Sequence, residues 1–338
     1  MNFIFISPHF PVNYWNFCRK LKENGINVLG IGDAAYDSLS YSLRDTLTEY
    51  YKVGSMEDYD QMVRAVAYFT FKYGKIDWLE SNNSHWLEQD ARLRTDFHIT
   101  TGCDLEQLRS WQAKDSMEQH CQKAGIPAVG RQTDGITGTV CSYDAIINSK
   151  GEPLFESGNV IPGSGTDSGH AAEPCCYVPK ELPKDVAEAG RRCVEAFGIR
   201  SRFIHLEFIR LDHDIPGLGK AKTLAVREVN LCPRGGFTPD MLNYANSTDV
   251  YKIWADMAAF DQRLVAERPD RYYCICIGRR DNRTYAHSHE DVLSRYRADI
   301  TMSDRMPDVL AAEMGNQMYI AKFEEKEQMD QFIDYVIK

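Results

Sequence analysis

The sequence has no Cys-x-x-Cys pair, no Gly-x-Gly-x-x-Gly after its first strand, no block of Lys and Arg, and no apolar run near the length of a membrane span. Each absence excludes a class. Without Cys-x-x-Cys the ten scattered cysteines do not form a zinc ribbon or a thioredoxin-like redox motif, and without a secretory leader they read as reduced, mostly buried thiols of a cytoplasmic protein. Met1–Ser7 is apolar but has no basic region before it and runs into Pro8 and Pro11, so it is a first strand and not a signal peptide. With 39 Lys and Arg against 49 Asp and Glu, a formal charge of −10, the chain lacks the concentrated basic surface of a non-specific nucleic-acid binder. A local basic pocket for a small anion stays open. No segment is long and apolar enough to suggest a membrane partner, and low-complexity tracts and internal repeats are also missing.

What is present is an ordinary globular composition over 338 residues, enough for roughly two or three domains. Short apolar runs at Phe3–Ser7, Asn27–Gly32, Tyr50–Gly54 and Ile76–Glu80 alternate with helical periods at Asn13–Glu23 and Met56–Tyr73, each helix stopping at a glycine. That order predicts a parallel sheet flanked by helices, with ligands beyond the carboxyl ends of the strands at Ser7–Phe10, Gly32-Asp33 and Glu80–Asn83. Because the glycine fingerprint is missing, the expected shape is Rossmann-like without an NAD site. Asn82 within Ser81-Asn82-Asn83 is a candidate substrate contact, though turn formation alone also accounts for polar residues there.

A helix over Leu105–Lys123 follows, and after Asp134-Gly135 the texture becomes that of strands. A hairpin is expected over Val140–Asn148 and Leu154–Ile161, then a glycine-rich loop at Pro162–Pro174 containing His170, a helix at Pro183–Phe197, and two facing strands, Arg202–Leu211 and Lys222–Asn230. Helices are expected at Asp249–Val265 and Gln328–Val336, and strands at Tyr272–Gly278 and Met318–Phe323. His287-Ser288-His289-Glu290 lacks the i, i+4 spacing of a helical zinc site and is expected to be a loop entering a helix.

The chemistry concentrates on the facing strands. Alternation places Ile204, Leu206 and Phe208 on one face and Phe203, His205, Glu207 and Ile209 on the other; on the partner strand it groups Leu224, Val226, Glu228 and Asn230. Glu207, Glu228 and Asn230 would then share a cleft as hard oxygen donors, the kind that hold Mg²⁺ beside phosphates. Cys232-Pro233-Arg234-Gly235-Gly236 follows at once, joining a guanidinium to two glycines that let a backbone approach an oxyanion. The bland alternative is that both glutamates are solvated and pair with Arg210 or Arg227. His205 shares a face with Glu207 and is either a supporting group or simply buried.

In this arrangement the sequence resembles the ATP-grasp superfamily. Glu207, Glu228, Asn230, Arg234, Gly235 and Gly236 stand in the family's order of Glu, Glu-x-Asn and Arg with glycines, and Lys114-Asp115-Ser116-Met117 with Gly125-Ile126-Pro127 resembles its Lys-x-x-Met and Gly-Ile-Pro segment. The likeness covers Met1 to about Asn246. It implies a Rossmann-like N-domain over 1–104, a linker helix and the start of the ATP-grasp region over 105–135, and an α+β ATP-grasp subdomain over 136–338. The family's small lid is missing near 134–136, so it is either deleted or left out of the sequence; the good fit on both sides favours the second.

The resemblance implies an ADP-forming carbon-nitrogen ligase that uses ATP and Mg²⁺ (or Mn²⁺) to activate a carboxylate as an acyl phosphate for attack by an amine. Glu207, Glu228 and Asn230 would hold metal and nucleotide, Lys114 would touch nucleotide phosphates, and Arg234 would be catalytic and, with Gly235, Gly236, Asn82 and His170, would meet substrate. Small carboxylates and amines would be the partners, nucleic acid and membranes would not, and a homodimer is common among family members. Two alternatives stand beside this: a carboxyphosphate-forming enzyme of the biotin-carboxylase or carbamoyl-phosphate type, and a non-catalytic ATP-binding protein if the lid is deleted.

Overall fold

Runs that are apolar throughout become strands buried on both faces. In the computed structural model, which describes residues 1–129, 136–162 and 173–338 with the side chains of 114 and 313 outside the description, β1 (Asn2–Ile6) is buried at every position. Beside it lie β2 (Asn27–Gly32), β3 (Glu49–Lys52) and β4 (Trp78–Glu80), all parallel, in the order β3-β2-β1-β4. Alternate residues of β1 then serve two cores. Ile4 and Ile6 pack with Met62, Val66 and Phe69 of helix Tyr59–Tyr73, which Asp58 caps at its start and Gly74 ends at φ 83°. Phe3 and Phe5 pack with Phe17 of helix Trp15–Glu23 and Trp254 of helix Val250–Phe260. The Phe3 and Trp254 rings meet edge to face at 5.5 Å, so a helix from late in the chain closes the early sheet.

The second sheet has nine strands, all antiparallel: β5 (Gly138–Ile147), β6 (Pro153–Ser157), β7 (Val160–Ile161), β8 (Cys175–Val178), β9 (Arg202–Leu211), β10 (Leu224–Asn230), β11 (Tyr273–Arg279), β12 (Ile300–Arg305) and β13 (Gln317–Phe323). The order is β10-β9-β5-β7-β8-β11-β13-β12, with β6 on β5. Helix Lys184–Phe197 covers one face, where Gly190 leaves room for the Tyr143 ring: a Cβ there would come within 2.2 Å of it.

Three elements differ from the sequence pattern. The expected helix Leu105–Lys123 breaks at an extended Ala113 (ψ 128°) into Leu105–Gln112 and Lys114–Lys123, which lets Leu108 and Cys121 enter one core. Helix Val250–Phe260 stops short of Val265 because Asp261 turns left-handed (φ 55°) and its carboxylate accepts from the Ser149 N–H and hydroxyl. The hairpin's second arm divides into β6 and β7. His287–Glu290 forms the expected loop and helix start, with Ser288 and Asp291 in a capping box. The expected lid junction at 134–136 and His170 lie at residues outside the description, apart from Ile136 itself. Among the described residues no helix is long and apolar enough to cross a membrane.

Candidate active site

The site grows out of the β5-β9 pair as rows of cross-strand neighbours, whose side chains project to the same face. Ile146 stands opposite Phe203, Asp144 opposite His205, and Ser142 opposite Glu207, so along one face the sheet passes from apolar core to charge. The other face of β9 is apolar between its two ends, with Ile204, Leu206 and Phe208 in one cluster, as the alternation predicts.

On β10 the alternation does not hold. A register shift between Val226 and Glu228 inserts Arg227 as an extra residue, so that Val226 pairs with Phe208, Glu228 with Glu207 and Asn230 with His205. Val226 packs in the apolar cluster with Leu206 and Phe208, and Leu224 lies against it. Leu224 and Val226 therefore do not share a face with Glu228 and Asn230. The bulge flips the later residues; strict alternation would have sent both into the apolar core with Val226.

His205 links this face into one network. It is buried, and its Nδ1 lies 2.7 Å from Asp144 Oδ1 and its Nε2 3.3 Å from Glu207 Oε1. The other Asp144 oxygen accepts from the Ser142 hydroxyl at 2.6 Å and the Asn159 amide at 3.0 Å. Burial works against a charge on His205, but the two carboxylates outweigh it and move the imidazole up to about 9. At neutral pH both ring nitrogens therefore donate. Burial also opposes the charge of Glu207, yet His205, then Arg234 and Arg227, hold it below the usual carboxylate range. Arg227 Nη1 stands 3.3 Å and Arg234 Nη1 3.7 Å from its two oxygens. Glu207 is thus not a solvated strand residue, and Arg210 pairs with Asp185 instead.

Of the residues predicted from sequence, the structure brings Glu207, Glu228, Asn230 and Arg234 together. Gly235 follows Arg234 with its carbonyl accepting from Thr238 Oγ1, and Gly236 (φ 68°) gives its carbonyl to the Asn13 amide at 3.1 Å, tying the loop to the first sheet's domain. Asn82 lies past the end of β4 in a left-handed conformation (φ 54°); its carbonyl accepts from Tyr14 and its buried amide nitrogen has no partner among the described residues. Such an orphaned donor at a strand end is what a substrate contact would leave in a free protein. Lys114 opens helix Lys114–Lys123, and its side chain is not described. Sequence reasoning missed Ser142, Asp144 and Asn159. The signal for the first two was present as polar residues two apart in the otherwise apolar Val140–Ile147.

The donors suit a hard cation in kind: two carboxylates opposed in register and an amide oxygen two residues on, with Glu228 exposed. Among the described residues no group of three His, Cys, Asp or Glu could hold a metal ion alone, so further oxygens, such as those of a phosphate, would complete the shell.

No family model and no curated protein matches the chain. Solved structures do. Phosphoribosylglycinamide synthetase from Anaerococcus prevotii superposes with a TM-score of 0.67 at 12% identity, covering 99% of this chain and 97% of that one. An L-amino acid ligase from Bacillus licheniformis gives 0.69 at 11%, covering 98% and 96%. N5-carboxyaminoimidazole ribonucleotide synthetase from Thermotoga maritima gives 0.63 at 11%, covering 98% and 96%. These neighbours are ATP-grasp enzymes, and the likeness, at such low identity, is one of fold: this chain has the ATP-grasp fold.

Proposed function

We propose that the protein is an ATP-dependent ligase that joins a carboxylate to an amine. The observation that carries this reading is the opposed pair Glu207 and Glu228 with Asn230 on one sheet face and Arg234 at its rim, in a fold whose solved neighbours include ligases and synthetases. In the reaction a substrate carboxylate oxygen attacks the γ-phosphorus of ATP and ADP leaves; an amine then attacks the acyl carbon, inorganic phosphate leaves, and the amine proton passes to solvent. Phosphoryl transfer of this kind is mostly positioning and charge neutralisation. Mg²⁺, held by Glu207, Glu228 and Asn230, would supply charge to offset the phosphates.

This chain's own residues do the rest. Arg234 meets the carboxylate and the negative charge it develops. His205, protonated, is no general base; it fixes Glu207 from below while Asp144 fixes its ring. Asn82 offers its amide hydrogen to substrate, and Lys114 would meet nucleotide phosphates. No nucleophilic side chain is required.

A second reading is a protein that binds nucleotide without turnover. It is favoured by the short connection from Val129 to Gly138, only residues 130–137, too few for the lid that covers phosphates in the family. One experiment separates the two: Mg-ATP supplied with pairs of amino acids, or with bicarbonate. Phosphate release that needs both a carboxylic acid and an amine supports the ligase, release with bicarbonate alone supports a carboxyphosphate enzyme, and ATP binding with no release under any mixture leaves only the second reading.

A further inference from the structure

We propose that Cys176 and Cys276 form a thiol pair that is oxidised reversibly to a cross-strand disulfide at the wall of the site. The two residues are direct register partners on antiparallel β8 and β11. Opposed residues of an antiparallel pair have Cα separations of roughly 4.5 or 5.5 Å, inside the range of roughly 4.4–6.8 Å that a disulfide spans. No strand has to move. Both thiols also sit on the same face of their strands, in the cluster that holds Cys274, whereas Cys175, Ile275 and Ile277 pack on the other face.

The surroundings separate this pair from the other thiols. The Cys276 S–H donates to the Cys176 sulfur, and this bond, aided by Arg234 and His205 against burial and Asp144, holds Cys176 below the ordinary thiol range. Burial instead pushes Cys121 and Cys141 up to about 11, Cys193 and Cys232 up to about 12, and Cys18, Cys175 and Cys274 higher. The thiolate is the nucleophile in thiol oxidation, so Cys176 is prepared to react, with a second cysteine directly opposite it in register.

With a hydroperoxide as oxidant, the Cys176 sulfur attacks the peroxide oxygen, the O–O bond breaks, and a sulfenic acid and an alcohol (water from hydrogen peroxide) form. The Cys276 sulfur then attacks the sulfenic sulfur, the S–S bond forms, and water leaves with the thiol proton. Both sulfurs are oxidised and the peroxide is reduced; a dithiol reverses the step.

The test uses the whole chain and does not depend on its catalytic activity. One equivalent of hydrogen peroxide should remove two of the ten thiols from titration, peptide mapping should join the fragments holding Cys176 and Cys276, and dithiothreitol should restore both. Cys176→Ser should lose thiols roughly tenfold more slowly, and Cys276→Ser should stop at a sulfenic acid that dimedone captures on Cys176. Loss of no thiol, a bridge between other cysteines such as Cys121 and Cys193, or over-oxidation of Cys176 with Cys276 untouched would overturn the proposal. Mapping of the unaltered chain decides the matter even if a variant fails to fold.

Discussion

Strand β9 carries two clusters of buried charge, one at Arg202 and one at His205 and Glu207, and they differ in how they close. Arg202 reaches across 122 residues of sequence to Glu80 at the end of β4, at 2.5 Å, and also donates to the Leu231 carbonyl. Arg94 adds a second guanidinium on Glu80 at 3.3 Å and bonds the carbonyls of Leu79 and Cys103. Asp90 completes this knot: it accepts from the Ser81 N–H and hydroxyl, and its remaining oxygen and the second oxygen of Glu80 are both buried with no N–H or hydroxyl donor among the described residues. Burial, and then the Glu80 charge, push Asp90 up to about 8, so it keeps a proton at neutral pH and donates it to Glu80. All four side chains are buried.

The His205 cluster is equally buried at its base but opens at its rim, where the side chains of Arg227 and Arg234 are 41% and 36% exposed. The difference teaches what each cluster is for. In the knot every charged side chain has a partner inside the protein, and the bond from Arg202 to Glu80 joins the two sheets. In the open cluster Arg227 and Arg234 reach Glu207 from partly exposed positions beside an exposed Glu228, the arrangement that the proposed ligand site needs.

Breaking the knot should cost the most. Arg202→Ala leaves Glu80 with a single guanidinium and should destabilise by about 3–5 kcal/mol, measured by denaturant unfolding; a loss under about 1 kcal/mol would mean that the cluster does not fasten the sheets.

The next effect lies in pH. His205 has a folded pKa above its unfolded 6.5, so its stabilisation is complete below 6.5 and is lost as pH rises to about 9. The loss should be on the order of 3 kcal/mol, and His205→Gln should flatten that slope. A slope unchanged in the variant would assign the titration elsewhere.

Asp90 is an acid with a raised pKa, so it too lowers stability with rising pH, but between its unfolded 3.8 and about 8. Asp90→Asn can still accept from Ser81 and donate to Glu80 without taking up a proton on folding, so at pH 7 it should stabilise the protein by up to roughly 4 kcal/mol while reducing the slope below pH 8. A loss of several kcal/mol would mean that Asp90 is ionised in the folded protein.

The smallest effect on folding should come from the open cluster. Glu228→Ala should move stability by no more than about 0.5 kcal/mol and yet abolish phosphate release with Mg-ATP, carboxylate and amine; unimpaired turnover in the Glu228→Ala, Asn230→Ala double variant would remove these residues from the site.

Much of this was legible in the residues because local period is a local property. Apolar runs between glycines predicted the parallel strands, and the alternation over Phe203–Ile209 assigned both faces of β9. The positions of Glu207, Glu228, Asn230 and Arg234 along the chain pointed to one cleft. Ser142 and Asp144 stayed hidden because a buried polar residue is interpretable only through its partners, and these are His205 on β9 and Asn159 in the connection between β6 and β7.

By itself, then, the sequence determined the strands, the helices and the kinds of groups available, since propensity and periodicity act over a few neighbouring residues. Tertiary structure alone decided which of those groups meet. The bulge at Arg227 arises from pairing with β9 and turns Glu228 toward Glu207 instead of Leu206. The bond from Arg202 to Glu80 and the pairing of Cys176 with Cys276 join positions 122 and 100 residues apart. Register and sheet order are set by the burial of whole faces, and no period within one segment encodes them.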